Sequence, residues 1–250
     1  MGGNVIVAKH QHVATLTLNR PPGNLVNVGL MTSLDKALRT VIKEDNITVI
    51  ILTGGDKSFS EGIDLEAFRS LGDDEMAEFV RNGQETLWRL ERAPKPTLAA
   101  MAGKVLGPGL EIALACDMRL STENAQFGHP EVSQGLIPLF GDAVRLERVI
   151  GRSRARSLIF TGEPIHAWEA LEIGLVGRIA PNDVLLEEAR LAASRIVSQP
   201  LHAVQAAKAA MLATEDSASR KAFYAIIASL LKGSRERKRK VQVEHSANRE

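Results

Sequence analysis

The chain has 250 residues, 44% of them hydrophobic and 24% charged, with a formal net charge of +1. That is enough apolar material for one large domain, or for one domain with an appendage, and the balanced charge gives no reason to expect nucleic acid or a membrane surface as a partner. The single cysteine, Cys116, excludes an intrachain disulfide and a multi-cysteine zinc site and fits a cytoplasmic location; the chain opens without a basic and then apolar leader and has no apolar stretch of about eighteen residues.

In chain order, Val5 to Val7 and Val13 to Leu18 read as strands, closed by the turn residues Asn19-Arg20-Pro21-Pro22-Gly23-Asn24. A helix is expected from about Gly29 to Lys43, with Leu30, Leu34, Leu38 and Ile42 on one face. Val49 to Thr53 is a continuous apolar and β-branched run stopped by Gly54-Gly55, the pattern of a strand covered on both faces. A loop follows through Ser58 to Leu65, then an amphipathic helix over 74–92 and, after Pro94 and Pro96, a short strand from Thr97 to Met101. Gly103 to Pro108 reads as a loop, Gly109 to about Cys116 as a helix, Met118 to Ser121 as a strand, and the segment to Pro138 as irregular. Alternating strands and helices through residue 180 predict a parallel α/β core. From Asn182 the pattern is helical throughout (183–198, 201–213 and 217–232, with Gly233 as a stop), so the expected organisation is a core over 1–181 and a helical region over 182–250. The basic run Arg235 to Lys240 reads as a solvated terminus, or else as a contact to ligand phosphates or a neighbouring subunit.

The chemistry concentrates in two segments. Gly107-Pro108-Gly109-Leu110-Glu111 lies between a strand and a helix, so Pro108 falls at the first helical position, where its fixed φ is suitable and its missing N–H costs no helical bond. Glu111 then sits in the first turn, where a carboxylate can simply complement the helix dipole. Glu131 follows twenty residues later in Gly128-His129-Pro130-Glu131. Alone it reads as a surface loop acid; paired with Glu111 it suggests general acid–base work, which needs two carboxylates in different environments. His129 has no nucleophile beside it and reads as structural.

The loop Lys57 to Leu65, the stretch Gly103 to Glu111 with Ala113 to Asp117, and Ala125 to Glu131 with Gly135-Leu136-Ile137-Pro138 together resemble the enoyl-CoA hydratase/isomerase (crotonase) family. Leu18 to Pro22 with Asn24 and Asn27, Thr161-Gly162 and Gly174-Leu175-Val176 match in order, and the resemblance runs from about Val5 to Gln205. It implies a crotonase-like (ClpP/crotonase) α/β spiral of strand-strand-helix units with a C-terminal helical appendage. It further implies an acyl-CoA thioester substrate, no cofactor beyond the coenzyme A that the substrate carries, and a homotrimer or hexamer. By position, Glu111 would deprotonate the water that attacks the β carbon and Glu131 would protonate the α carbon. The backbone at Ile63 and at Pro108 would form the oxyanion hole. Leu25, Ser60, Gly62, Asp64, Leu65, Leu106, Gly107, Gly109 and Pro130 would line the substrate.

Pro108 has no N–H to give at the second donor position, and a family glycine-rich stretch is replaced by Leu139-Phe140-Gly141-Asp142, which makes the acyl pocket bulkier and adds an acid. The first expectation is an enoyl-CoA hydratase. An isomerase working with Glu131 alone, an acyl-CoA binder of weak activity, and a dinucleotide-dependent oxidoreductase are the competing ones; Ile112 at the third fingerprint position argues against the last.

Overall fold

The computed structural model describes residues 3–213. The helix expected over 217–232 and the basic run from Arg235 lie outside these described residues.

The core is a six-stranded sheet in the order β1-β2-β3-β4-β6-β9. β1 (Val5–His10) and β2 (Val13–Leu18) form an antiparallel pair, and β3 (Val49–Thr53), β4 (Thr97–Met101), β6 (Met118–Thr122) and β9 (Arg178–Ala180) continue from β2 in parallel. The apolar run of β3 follows from its position, because every residue in it is buried. Ile50 and Leu52 join one core while Val49 and Ile51 join a second on the opposite face. The alternation of side chains along a strand divides them, and cover on both faces makes all of them apolar.

The larger core is closed by α1 (Val28–Ile42), α3 (Asp73–Glu91) and α4 (Pro108–Leu114). Asn27 starts α1, its side chain accepting from Leu30 N–H at 3.0 Å, and Leu30, Leu34, Leu38 and Val41 then turn to the sheet. The second core is covered by α8 (Leu185–Val197) through Leu185, Ala189 and Ala193. α9 (Leu201–Ala213) is tied to the sheet by Lys208, which donates to Asp117 Oδ2 at 2.7 Å and to Lys95 O at 3.1 Å.

Above the end of the main sheet lies a small second sheet, and here the structure departs from the sequence reading. The expected loop after Gly103 contains β5 (Lys104–Leu106), paired in parallel with β7 (Gln126–Gly128), which pairs antiparallel with the two-residue β8 (Ile165–His166). The segment expected to be irregular therefore holds a strand, followed by a 3-10 turn over Pro130–Gln134. A short helix α2 (Leu65–Ser70), capped by Asp64, also closes the loop after Ser58. Strands of two or three residues carry too few side chains for a period-two pattern to emerge. α5 (Asp142–Ile150), α6 (Arg152–Thr161) and α7 (Ala167–Glu172) complete the layer around this second sheet.

Candidate active site

The second sheet places the two glutamates. Gly107 N–H donates to Gly128 O at 2.8 Å, which locks the end of β5 to the end of β7, so the chain leaves one toward α4 and the other toward Glu131. Gly107 takes φ +47°, and a Cβ there would stand 2.8 Å from Glu131 Oε2. Only glycine lets the backbone turn left-handed under a carboxylate at that range. α4 begins at Pro108 as expected, and its first bond runs from Glu111 N–H to Gly107 O.

Both glutamates are buried, Glu111 completely and Glu131 to within 6%. Each has one oxygen engaged and one without a partner among the described residues. Glu111 Oε2 accepts from the Phe140 N–H, leaving Oε1; Glu131 Oε1 lies 2.9 Å from His129 Nδ1, leaving Oε2. Acids of this kind are uncommon inside proteins without a counter-charge or a function, so burial moves Glu131 away from the surface-loop reading.

His129 supplies that counter-charge. It is completely buried, its Nδ1 on Glu131 and its Nε2 2.8 Å from Asp142 Oδ2, the second approach being an ion-pair contact not aligned as a hydrogen bond. Burial alone would drive the imidazole neutral, but Asp142 and Glu131 outweigh it and raise its pKa to about 10. His129 is therefore an imidazolium at neutral pH. Burial, and next the Asp142 charge, push the Glu111 carboxyl well above the usual carboxylate range, with the His129 cation working against them. Asp142 is raised as well, first by its own burial. Arg145, one turn along α5, donates to Phe140 O at 2.8 Å and to Glu91 Oε2 at 2.8 Å, fastening the loop whose N–H holds Glu111.

The expected oxyanion segments also meet. Ser60 bridges Val105 and Ile63 bridges Val26, so the 60–63 loop runs beside β5 and the start of α4. A Cβ on Gly109 would stand 2.6 Å from the Ser60 Cβ, a measure of how closely the two segments pack. Gly62 N–H is taken by Ser60 Oγ and Asp64 N–H by Val26 O, whereas Ile63 N–H between them has no acceptor among the described residues. At the second position Pro108 is buried and has no N–H; Gly109 and Leu110, next in the first helical turn, have no intrahelical acceptor.

Among the expected substrate-lining residues, Ser60, Gly62, Leu106, Gly107, Gly109 and Pro130 gather around this point. Leu25, Asp64 and Leu65 lie further along the same edge, and their polar atoms serve the fold: Arg20 donates to Leu25 O and pairs with Asp64, whose other oxygen caps α2. The sequence reading missed the joint role of His129 and Asp142. Asp142 is eleven residues beyond Glu131, and no spacing rule places it against the imidazole. A cavity of about 580 Å³ elsewhere is lined by Leu114, Cys116, Arg119, Arg145 and Lys208 but by neither glutamate. Among the described residues no cluster of three or more His, Cys, Asp or Glu is arranged to hold a metal, and no helix is long and apolar enough to cross a membrane.

The family model described as enoyl-CoA hydratase/isomerase matches residues 8–244. The chain belongs to the enoyl-CoA hydratase/isomerase family. It is similar to the short-chain-enoyl-CoA hydratase of Clostridium acetobutylicum, 39% identical over 83% of this chain and 80% of that protein. The crotonyl-CoA hydratase of Syntrophomonas wolfei is 38% identical over 83% and 80% of the two chains. Among solved structures, the enoyl-CoA hydratase from Bacillus anthracis superposes with a TM-score of 0.82 at 34% identity, covering 95% of this chain and 96% of its own. The crotonase fold expected from the sequence is thus the fold of this family member, with Glu111 and Glu131 brought to one buried point between its two sheets.

Proposed function

We propose that the protein is an enoyl-CoA hydratase acting on short 2-enoyl-CoA thioesters, with Glu111 and Glu131 as its acid–base pair. The observation that carries the reading is the pair of unpartnered buried carboxylate oxygens, Glu111 Oε1 and Glu131 Oε2, on two acids close enough for the charge of one to act on the other, with Glu131 Oε2 against Gly107. The relatives named as short-chain and crotonyl-CoA hydratases support the substrate class.

In hydration, water gives a proton to Glu111 as its oxygen bonds to the β carbon. The π electrons pass to an enolate held by the Ile63 N–H, and Glu131 returns a proton to the α carbon. In dehydration Glu131 takes the α proton and Glu111 protonates the departing hydroxide. Burial, and next the Asp142 charge, favour the protonated form of Glu111, while Glu131 lies against the His129 cation. The reaction consumes no cofactor, because coenzyme A arrives with the substrate. The same reading takes the protein as a cytoplasmic homotrimer or hexamer, checked by light scattering on the full chain.

The test uses two reactions. Loss of enoyl-thioester absorbance reports hydration, and exchange of the α hydrogens of a saturated four-carbon acyl-CoA in D2O reports the Glu131 step alone. Glu131→Gln is expected to lose both by about 10²-fold or more, whereas Glu111→Gln loses hydration and keeps exchange. Hydration that survives both substitutions would sink the reading. A second reading, an acyl-CoA binder with little turnover, is favoured by Pro108 alone; tight acyl-CoA binding with neither reaction in the wild type would select it.

A further inference from the structure

Glu131 is held from behind by a chain of buried charges that the acid–base pair does not itself require. Its Oε1 contacts His129 Nδ1 at 2.9 Å, and His129 Nε2 lies 2.8 Å from Asp142 Oδ2. His129 and Asp142 are both wholly buried, so neither contact serves solubility or a surface. The segments are independent: His129 precedes the 3-10 turn that carries Glu131, and Asp142 opens α5. An imidazole with an acid on each nitrogen has its ring plane fixed at two points, and so fixes the carboxylate it touches.

We propose that His129, anchored by Asp142, is the positioning residue of this site: its imidazolium engages Glu131 Oε1 and so makes Oε2 the oxygen presented to the substrate α carbon. The inference rests on Glu131 as the group that moves the α proton. Geometry supports it from the other side, since Oε2 is the atom poised over Gly107. Charge supports it too: the His129 cation lies against Oε1, the oxygen turned away from that role. Every charged group facing the trio bears on this. Glu111 on α4 and Arg145 on α5 act directly, Arg119 on β6 acts on Asp142, and Glu91 on α3 is spent on Arg145.

The role has a pH signature. His129 carries a pKa raised to about 10, with Asp142 one of the causes. The wild-type rate of α-hydrogen exchange should therefore fall as the pH rises through about 10. Asp142→Asn keeps the size of the side chain and removes its charge, so the alkaline fall should move to lower pH. In His129→Gln, where the amide can still donate to Glu131, the titrating group is gone: the alkaline fall should vanish and kcat should drop about tenfold, with KM within about twofold. That loss is smaller than the roughly 10²-fold expected of the general base itself.

The experiment measures exchange of the four-carbon acyl-CoA in D2O from pH 7 to 10.5 for wild type, Asp142→Asn, His129→Gln and Glu131→Gln. A shifted fall in Asp142→Asn supports the proposal. An unmoved fall in that variant, with exchange still dependent on Glu131, overturns it. Exchange that persists in Glu131→Gln removes instead the reading on which it rests. Should His129→Gln fail to fold, the isosteric Asp142→Asn decides the matter by itself.

Discussion

At the scale of single residues, the acids and the proline have different standing. Glu111 and Glu131 could be found in the sequence because each sits in a local motif, Gly-Pro-Gly before one and Gly-His-Pro before the other. Their burial could not be found there, since it depends on Phe140, His129 and Asp142 closing over them. Pro108 keeps the double character it has in the sequence: it starts α4 at a position suited to proline and has no N–H to donate. Pro108→Gly would restore a donor at the first helical position. Turnover is expected to rise by up to about 10²-fold, the scale of one oxyanion donor. Stability should fall by roughly 1 kcal/mol through the looser unfolded chain. Stopped hydration assays and denaturant midpoints on the same preparation check both; unchanged turnover would mean that the Ile63 N–H and the first free helical N–H groups suffice.

At the scale of elements, the long periodic ones were readable and the short ones were not. α1, α3, β3 and β4 announce themselves because five or more residues share one face or one burial state. β5 and β7 bring the two glutamates together with three residues each, their pairing fixed by backbone bonds that any side chain permits. The packing of α3 against the loop after Pro138 is equally silent in the sequence. Gly83 in α3 leaves room for the Phe140 ring: a Cβ there would stand 2.2 Å from Phe140 Cε1. Phe79 meets the same ring edge-on at 5.4 Å, and Gln84 donates to Leu139 O at 2.9 Å. Gly83→Ala must push Phe140, and with it the N–H that holds Glu111. Expected are a stability loss of about 1–3 kcal/mol and a fall in kcat larger than any rise in KM, measured by denaturant titration and steady-state hydration.

At the scale of the whole molecule, the buried cluster couples stability to pH. His129 has an ordinary pKa of 6.5 in the unfolded chain and about 10 in the folded one. The folded state thus binds its proton more tightly. The resulting stabilisation is complete below about pH 6.5 and is lost as pH rises through about 10. Glu111 and Asp142 are shifted in the same direction by burial, so they too favour the protonated folded state and do not cancel the decline. Denaturant midpoints should fall between pH 6.5 and 10, and the slope should flatten in His129→Gln. A slope identical in the two proteins would place the alkaline sensitivity outside this cluster.

Fold class and family are legible in the chain alone, and the two acids stand out there as candidates, because each is written in local form: hydrophobic period, turn glycines, and motifs in a fixed order. The tertiary structure alone decided what surrounds those acids. His129 and Asp142 lie on different elements, Phe140 offers a backbone group that any residue would carry, and Gly83, which makes room for the Phe140 ring, belongs to a separate helix, α3. Electrostatics depends on distance and burial and is blind to position along the chain. A histidine that looks structural beside its neighbours in sequence therefore becomes, once folded, the cation between two buried acids.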